Sequence, residues 1–166
     1  IIYYGEDIHL AIVGVTNRTM MFFFMPIFGL TQGLQPIIGF NYGAGNLDRV
    51  KSAVRTASSF ASILSVAAFL ILISMTGLIL RIFSPDQELI EEGIPIVRIL
   101  ALGLPFVGFQ MVGGSFFQAL GRARPAFVIT LSRQVIVLLP LIFIVPTFYG
   151  LTGLWFSFPI ADTAST

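Results

Sequence analysis

Apolar residues run in four long blocks along the chain, and charged residues are confined to the gaps between them. No Asp, Glu, Lys or Arg occurs in 19–47, 56–80, 99–121 or 134–161. A helix crossing a hydrocarbon core needs roughly 20 largely apolar residues, and every block is longer than that. A transmembrane β-strand would alternate polar and apolar residues over segments of ~10, whereas Val66-Ala67-Ala68-Phe69-Leu70-Ile71-Leu72-Ile73 is unbroken. Core helices of a large soluble protein would need a wrapping of polar helices that this sequence does not supply. A secretory signal peptide has a single, shorter apolar stretch near a basic N-terminus. The pattern therefore predicts an all-α fold, a polytopic transmembrane helix bundle. It forms one membrane domain over 1–166, with spans at about 14–43, 55–80, 96–120 and 126–148 and the start of a further span over 153–166.

Composition agrees: 56% of residues are hydrophobic and 10% charged, with a mean hydropathy of +0.94, against about 25% charged in soluble domains. The net charge of +1 is too small for an electrostatic hold on nucleic acid. Without cysteine there is no disulfide framework, Cys-ligated zinc or iron–sulfur cluster. The chain opens on Ile1 and stops just after an apolar run, and is read as an internal piece of a longer protein.

The sign of the gap charges sets an orientation. Arg49, Lys51 and Arg55 stand against Asp48 after the first span, and Arg122 and Arg124 follow the third, with Arg133 about two turns further on. Asp86, Glu88, Glu91 and Glu92, bracketed by Arg81 and Arg98, lie between the second and third. Basic loops stay cytoplasmic, so 44–55 and 121–125 are expected inside and 84–93 outside. In the acidic segment Ser84 reads as the cap of a short interfacial helix with Pro85 at its first position, Gln87 returning to the cap and Gly93 ending it.

The spans carry polar and small residues in register. Gly29, Gln32, Gln35, Gly39 and Tyr42 fall close to one helical face, and Gly29/Gly33 and Gly39/Gly43 are Gly-x-x-x-Gly pairs. Gln110, Gly114, Gln118 and Gly121 make a second seam, preceded by Pro95 and Pro105. Amides in hydrocarbon demand partners or water, so both faces are expected to look into the bundle, as interhelical glue or as the wall of a shared wet cavity. Gln32, Gln35, Tyr42, Gln110 and Gln118 are the candidate cavity-lining residues. Gly29, Gly33, Pro36, Gly39, Gly43, Pro105 and Gly114 are the candidate packing and gating positions, the prolines (with Pro26 and Pro95) allowing kinks. The second span offers only Ser and Thr and is expected to face lipid.

Motifs of enzymatic chemistry are missing from the sequence. Gly43-Ala44-Gly45 starts like a dinucleotide loop, but Asp48 stands where the third glycine belongs, and no parallel-strand unit surrounds it. There is no Walker lysine loop, a single histidine, His9, cannot form a His cluster, and no nucleophile sits beside a base. The expectation is a non-enzyme without cofactor, catalytic or metal site. Asn17-Arg18-Thr19 fits a glycosylation acceptor by chance, Trp155 with Tyr149 reads as an interfacial anchor, and Arg18, Arg98 and Arg133 read as snorkelling cations near span ends.

The stretch from Pro26-Ile27-Phe28-Gly29-Leu30-Thr31-Gln32-Gly33-Leu34-Gln35-Pro36 through Gly39-Phe40-Asn41-Tyr42-Gly43-Ala44-Gly45-Asn46 resembles the eighth helix and following cytoplasmic loop of multidrug and toxic compound extrusion (MATE) transporters. Phe116-Phe117-Gln118-Ala119-Leu120-Gly121-Arg122-Ala123, Gly150-Leu151-Thr152-Gly153-Leu154-Trp155 and Pro159-Ile160-Ala161-Asp162 continue the resemblance over nearly the whole chain. It implies that the spans correspond to helices eight to eleven of twelve, with the beginning of the twelfth. It also implies a secondary antiporter in which an inward proton or sodium ion drives a small organic, often cationic, compound outward.

The partners so implied are the lipid bilayer, the organic substrate and an N-terminal lobe of the same polypeptide. The implied location is a bacterial inner membrane, crossed several times. One branch of the family carries a carboxylate on its tenth helix; the nearest positions here, Phe109 and Gln110, hold no acid. The coupling ion is therefore expected to bind mainly outside this piece. A lipid-linked oligosaccharide flippase of the same superfamily and a non-transporting scaffold subunit are the alternative readings.

Overall fold

A computed structural model describes residues 7–121, 135 and 138–164. Five helices occur among them: α1 (Asp7–Gly43), α2 (Leu47–Phe83), α3 (Gln87–Ala101), α4 (Leu104–Ala119) and α5 (Leu139–Ala164). α1 and α2 are each long and apolar enough to cross a membrane, and both begin ahead of the expected spans at 14 and 55. The segment expected as one span over 96–120 is instead two limbs, α3 and α4, meeting at 47°. Of the span expected at 126–148, residues 126–134, 136 and 137 lie outside the described residues. α5 contains the connection to the next expected span, since Gly150 breaks it with φ +58°.

Local chemistry accounts for the ends. After Gly43 the chain closes a Schellman turn: the Gly45 N–H donates to the Tyr42 carbonyl at 3.1 Å and the Asn46 N–H to the Asn41 carbonyl at 2.8 Å. Gly45 holds φ +75°, a left-handed conformation that a glycine adopts without Cβ strain. The Gly-Ala-Gly element is thus a helix stop. Gly121, at φ +68°, sits in the same way beyond α4.

The acidic segment departs from expectation. Ser84 is extended and closes α2, its N–H donating to Leu80, while the cap of the next helix is Asp86, whose carboxylate accepts from the Glu88 N–H at 3.1 Å. That helix, α3, does not stop at Gly93 but runs through Pro95 to Ala101. A glycine terminates a helix by turning to positive φ, and Gly93 does not. It is buried instead, and a Cβ there would stand 3.1 Å from Leu80 and 3.7 Å from Ile12.

α2 is the centre of the described bundle rather than a lipid-facing span. One stripe, Ala57, Ala61, Ser65, Ala68, Leu72, Thr76 and Leu80, is buried and packs against α1, α3 and α4. The opposite side, with Phe60, Ile63 and Leu70, is exposed. Near the C-terminal end of α2 Met75 leaves helical geometry (φ −116°, ψ 19°), where the Ser74 and Thr76 hydroxyls return to carbonyls of the preceding turn, a pattern that bends helices.

Pairs across the bundle give its directions. Ile12 and Leu80 both lie by Gly93, and Gly39 lies by Ala119, so α1 and the α3–α4 pair run parallel and α2 antiparallel to both. The basic 44–55 segment and Gly121 therefore share one end, and the acidic segment occupies the other. At that acidic end His9 Nε2 lies 3.7 Å from the Glu92 carboxylate. Trp155, 4% exposed, is buried there with Ile12, Leu89 and Ile96, so it is a core residue rather than a surface anchor.

Candidate functional site

The two polar seams meet. Parallel α1 and α4 bring Ser115 to Thr31, whose carbonyl accepts from the Ser115 hydroxyl at 3.1 Å in a buried bond. One turn on, Gln35 Nε2 donates to Gln118 Oε1 at 3.2 Å. Gly39 follows, where a Cβ would meet the Ala119 carbonyl at 3.6 Å, an ordinary contact. Beneath this row Ile27, Leu34, Ile38, Val50, Ala57, Ala61 and Val112 form an apolar core that fixes the register.

The row sits on an open face. Gln32, Pro36 and Gln118 are exposed and Gln35 is half-buried. A Cβ added to Gly29, Gly33, Gly43 or Gly114 would meet nothing within 4 Å. Among the described residues, then, these glycines are not contacts between helices; they keep a polar-edged surface shallow. Pro26 and Pro36 lie within continuous α1, whereas Pro105 stands in the first turn of α4, where a missing N–H costs no helical bond.

Tyr42 is separate from the Gln35–Gln118 pair and lines a cavity of about 390 Å³ with Leu47, Val50, Lys51, Val54, Arg55 and Phe116, at the basic end. Gln110 points elsewhere again. Half-buried, its Nε2 donates to the Asp162 carbonyl of α5 at 2.8 Å. The five candidate cavity residues thus fall into three groups along one side of α1 and α4: Gln32, Gln35 and Gln118 on the open face, Tyr42 at its basic end, and Gln110 against α5.

The tightest glycine contact among the described residues, at Gly108, is not one of the candidate positions. A Cβ on Gly108 would stand 2.4 Å from the Ala61 carbonyl and from the Ser65 hydroxyl, so α4 rests directly on the α2 backbone. Ser65 Oγ is buried and has no hydrogen-bond partner among the described residues, and a Cα–H contact from Gly108 is the interaction this geometry offers it. Its sequence signal is small residues at helical spacing, Ala57, Ala61, Ser65 and Ala68, on a span without amides. Among the described residues no group of His, Cys, Asp or Glu is placed to hold a metal ion.

Comparison with known proteins accords with this architecture. The MatE family model matches residues 1–144. The chain is 25% identical over 161 residues, 97% of its length, to the multidrug export protein MepA of Staphylococcus aureus, and 27% identical over 155 residues to MepA of Staphylococcus haemolyticus. It covers 35% and 34% of those proteins, so it spans about a third of the length of the curated relatives it matches. Among solved structures, the MATE multidrug transporter DinF-BH superposes with a TM-score of 0.87 at 39% identity, over 98% of this chain and 36% of that one.

Proposed function

The chain belongs to the MatE family of multidrug transporters, and on that premise we propose that it is most of the C-terminal lobe of a secondary exporter of drugs and organic cations. The exporter runs by antiport against protons or sodium ions across a bacterial inner membrane. An N-terminal lobe of the same polypeptide completes the pathway. The family is one of transporters rather than enzymes, and its members are integral to the membrane.

The observation that carries this reading is the Gln35–Gln118 bond at 3.2 Å on an open face. Interhelical glue would be expected to bury such a pair among apolar neighbours. Among the described residues the pair is left open, bordered by exposed Gln32 and Pro36, with glycines that leave room beside it. The amides of this face carry no formal charge, which suits a substrate that is flat, apolar and weakly hydrogen-bonding. Gln32, Gln35 and Gln118 are its contact residues in this proposal, Tyr42 extends it at the basic end, Gln110 supports it by holding α5, and Gly29, Gly33, Pro36, Gly39, Gly43, Pro105 and Gly114 shape and gate it.

In the intact protein, Gln35→Ala or Gln110→Ala is expected to lower export of a fluorescent organic cation about two- to tenfold, the range for losing one neutral hydrogen bond. Membrane abundance should stay unchanged. Normal export by both variants would return these residues to a packing role.

A further inference from the structure

The basic end of the bundle holds a cavity of about 390 Å³ between three helices, within the size range of small-molecule sites. α2 builds most of it. Leu47, Val50, Lys51, Val54 and Arg55 line the cavity, and their i, i+3, i+4, i+7, i+8 spacing puts them on one helical face. Three apolar residues thus stand beside two cations one turn apart. Tyr42 at the end of α1 and Phe116 of α4 close the other side. Tyr42 and Leu47 remain 41% and 53% exposed, so the cavity is open at an apolar edge.

The two cations are available to a ligand. Lys51 Nζ reaches Asp48 Oδ1 only at 4.0 Å, with both side chains in solvent, and ion pairs so exposed hold weakly. Arg55 takes part in no ion pair among the described residues. Both side chains are exposed, and stems of this length lie along apolar surface while their heads stay at its rim. Arg55 is also the last charge before the charge-free block over 56–80. The rim therefore stands where an apolar span meets the headgroup layer.

We propose that this cavity binds an anionic phospholipid of the cytoplasmic leaflet. Lys51 and Arg55 hold its phosphate, and Leu47, Val50, Val54 and Phe116 receive the start of an acyl chain. Basic side chains next to a membrane span attract anionic headgroups, and the apolar wall below them has no use for an anion dissolved in water. An uncharged lipid would leave the cations unused, and an organic cation would be repelled by them. The cavity is thus distinct in ligand from the amide face proposed for substrate, with Tyr42 between the two. A lipid seated there joins the ends of α1, α2 and α4. The inference is independent of antiport and needs only that this end of the bundle meets the membrane surface.

The test is photolabelling of the intact protein in phosphatidylcholine vesicles that contain a trace of phosphatidylglycerol with a diazirine on its acyl chain, the adducts being located by mass spectrometry. Adducts within 42–55 or at Phe116, displaced by unlabelled phosphatidylglycerol but not by inorganic phosphate, are the expected result. Lys51→Gln with Arg55→Gln should lower this labelling at least about tenfold, each basic side chain near an anionic surface contributing roughly fivefold. Lys51→Arg with Arg55→Lys keeps both charges and should label as the parent does. Arg49→Gln removes a cation that does not line the cavity and should change labelling by less than about twofold.

Equal labelling of these residues by a diazirine phosphatidylcholine overturns the inference, since the groove would then be merely apolar. Displacement by inorganic phosphate overturns it in favour of a soluble anion. An effect of Arg49→Gln as large as that of the double variant would make net charge, and not the cavity, responsible. Absence of adducts here, while Phe60 and Ile63 on the exposed face of α2 are labelled, would mean that another part of the protein closes the cavity.

Discussion

Glycine has two distinct uses in this chain, and single substitutions separate them. Gly108→Ala puts a methyl group against the Ala61 carbonyl and Ser65 hydroxyl at 2.4 Å, where the α2 backbone cannot yield. A loss of about 1–3 kcal/mol is expected, the usual cost of overpacking a close contact. Gly29→Ala meets nothing within 4 Å and, at a helical position, favours the helix by up to about 1 kcal/mol. Thermal unfolding of the intact protein in detergent checks both: the first variant should melt earlier, and the second should melt no earlier than the parent. Equal destabilisation by the two would mean that Gly29 is packed by a part of the protein outside these helices.

At the scale of elements, the third span is where sequence and structure diverge most, and the break falls at Leu102 and Gly103, just ahead of Pro105. The charge-free run over 99–121 is long enough for one straight helix, and nothing in its hydropathy marks a bend. Pro105 alone suggested one, and it proves to sit in the first turn of a new helix. Glycine is needed at 103 for space, since a Cβ there would stand 2.5 Å from Asp162 Oδ2. Asp162 is 59 residues away in the sequence, and no local pattern encodes that contact. Gly103→Ala is therefore expected to displace α5 from the break. Its thermal stability should drop by about 1–3 kcal/mol, whereas Leu102→Ala, at an exposed position, should shift it by less than about 1 kcal/mol.

The α1–α4 seam was more legible. Gln35 and Gln118 announce themselves because amides in apolar spans are rare, and helical periodicity places each on a face. Their union at 3.2 Å required the parallel packing of α1 on α4, which periodicity alone does not reveal. The α2 stripe is hidden for the opposite reason: Ala and Ser carry little hydropathic contrast, so burial of that face follows from packing rather than from any polar mark.

For the whole molecule, alternating loop charge gave a topology, and the bundle places the basic and acidic segments at opposite ends. Single cysteines at Asn46 and Gln87 of the intact protein should label from opposite sides of the membrane with an impermeant maleimide, Asn46 from the cytoplasm. Labelling of both from one side would contradict the arrangement of α1 and α2.

The central claim is that this lobe presents a polar face to an organic substrate moved by ion antiport. Its most direct measurement uses the intact protein reconstituted in vesicles loaded with a fluorescent organic cation, under an imposed proton or sodium gradient. Gradient-dependent transport, reduced when Gln35 and Gln118 are both replaced by alanine and retained in a Phe60→Ala control on the exposed face of α2, is the predicted result. Transport that ignores both gradients, or that is unaffected by loss of the amide pair, would contradict it.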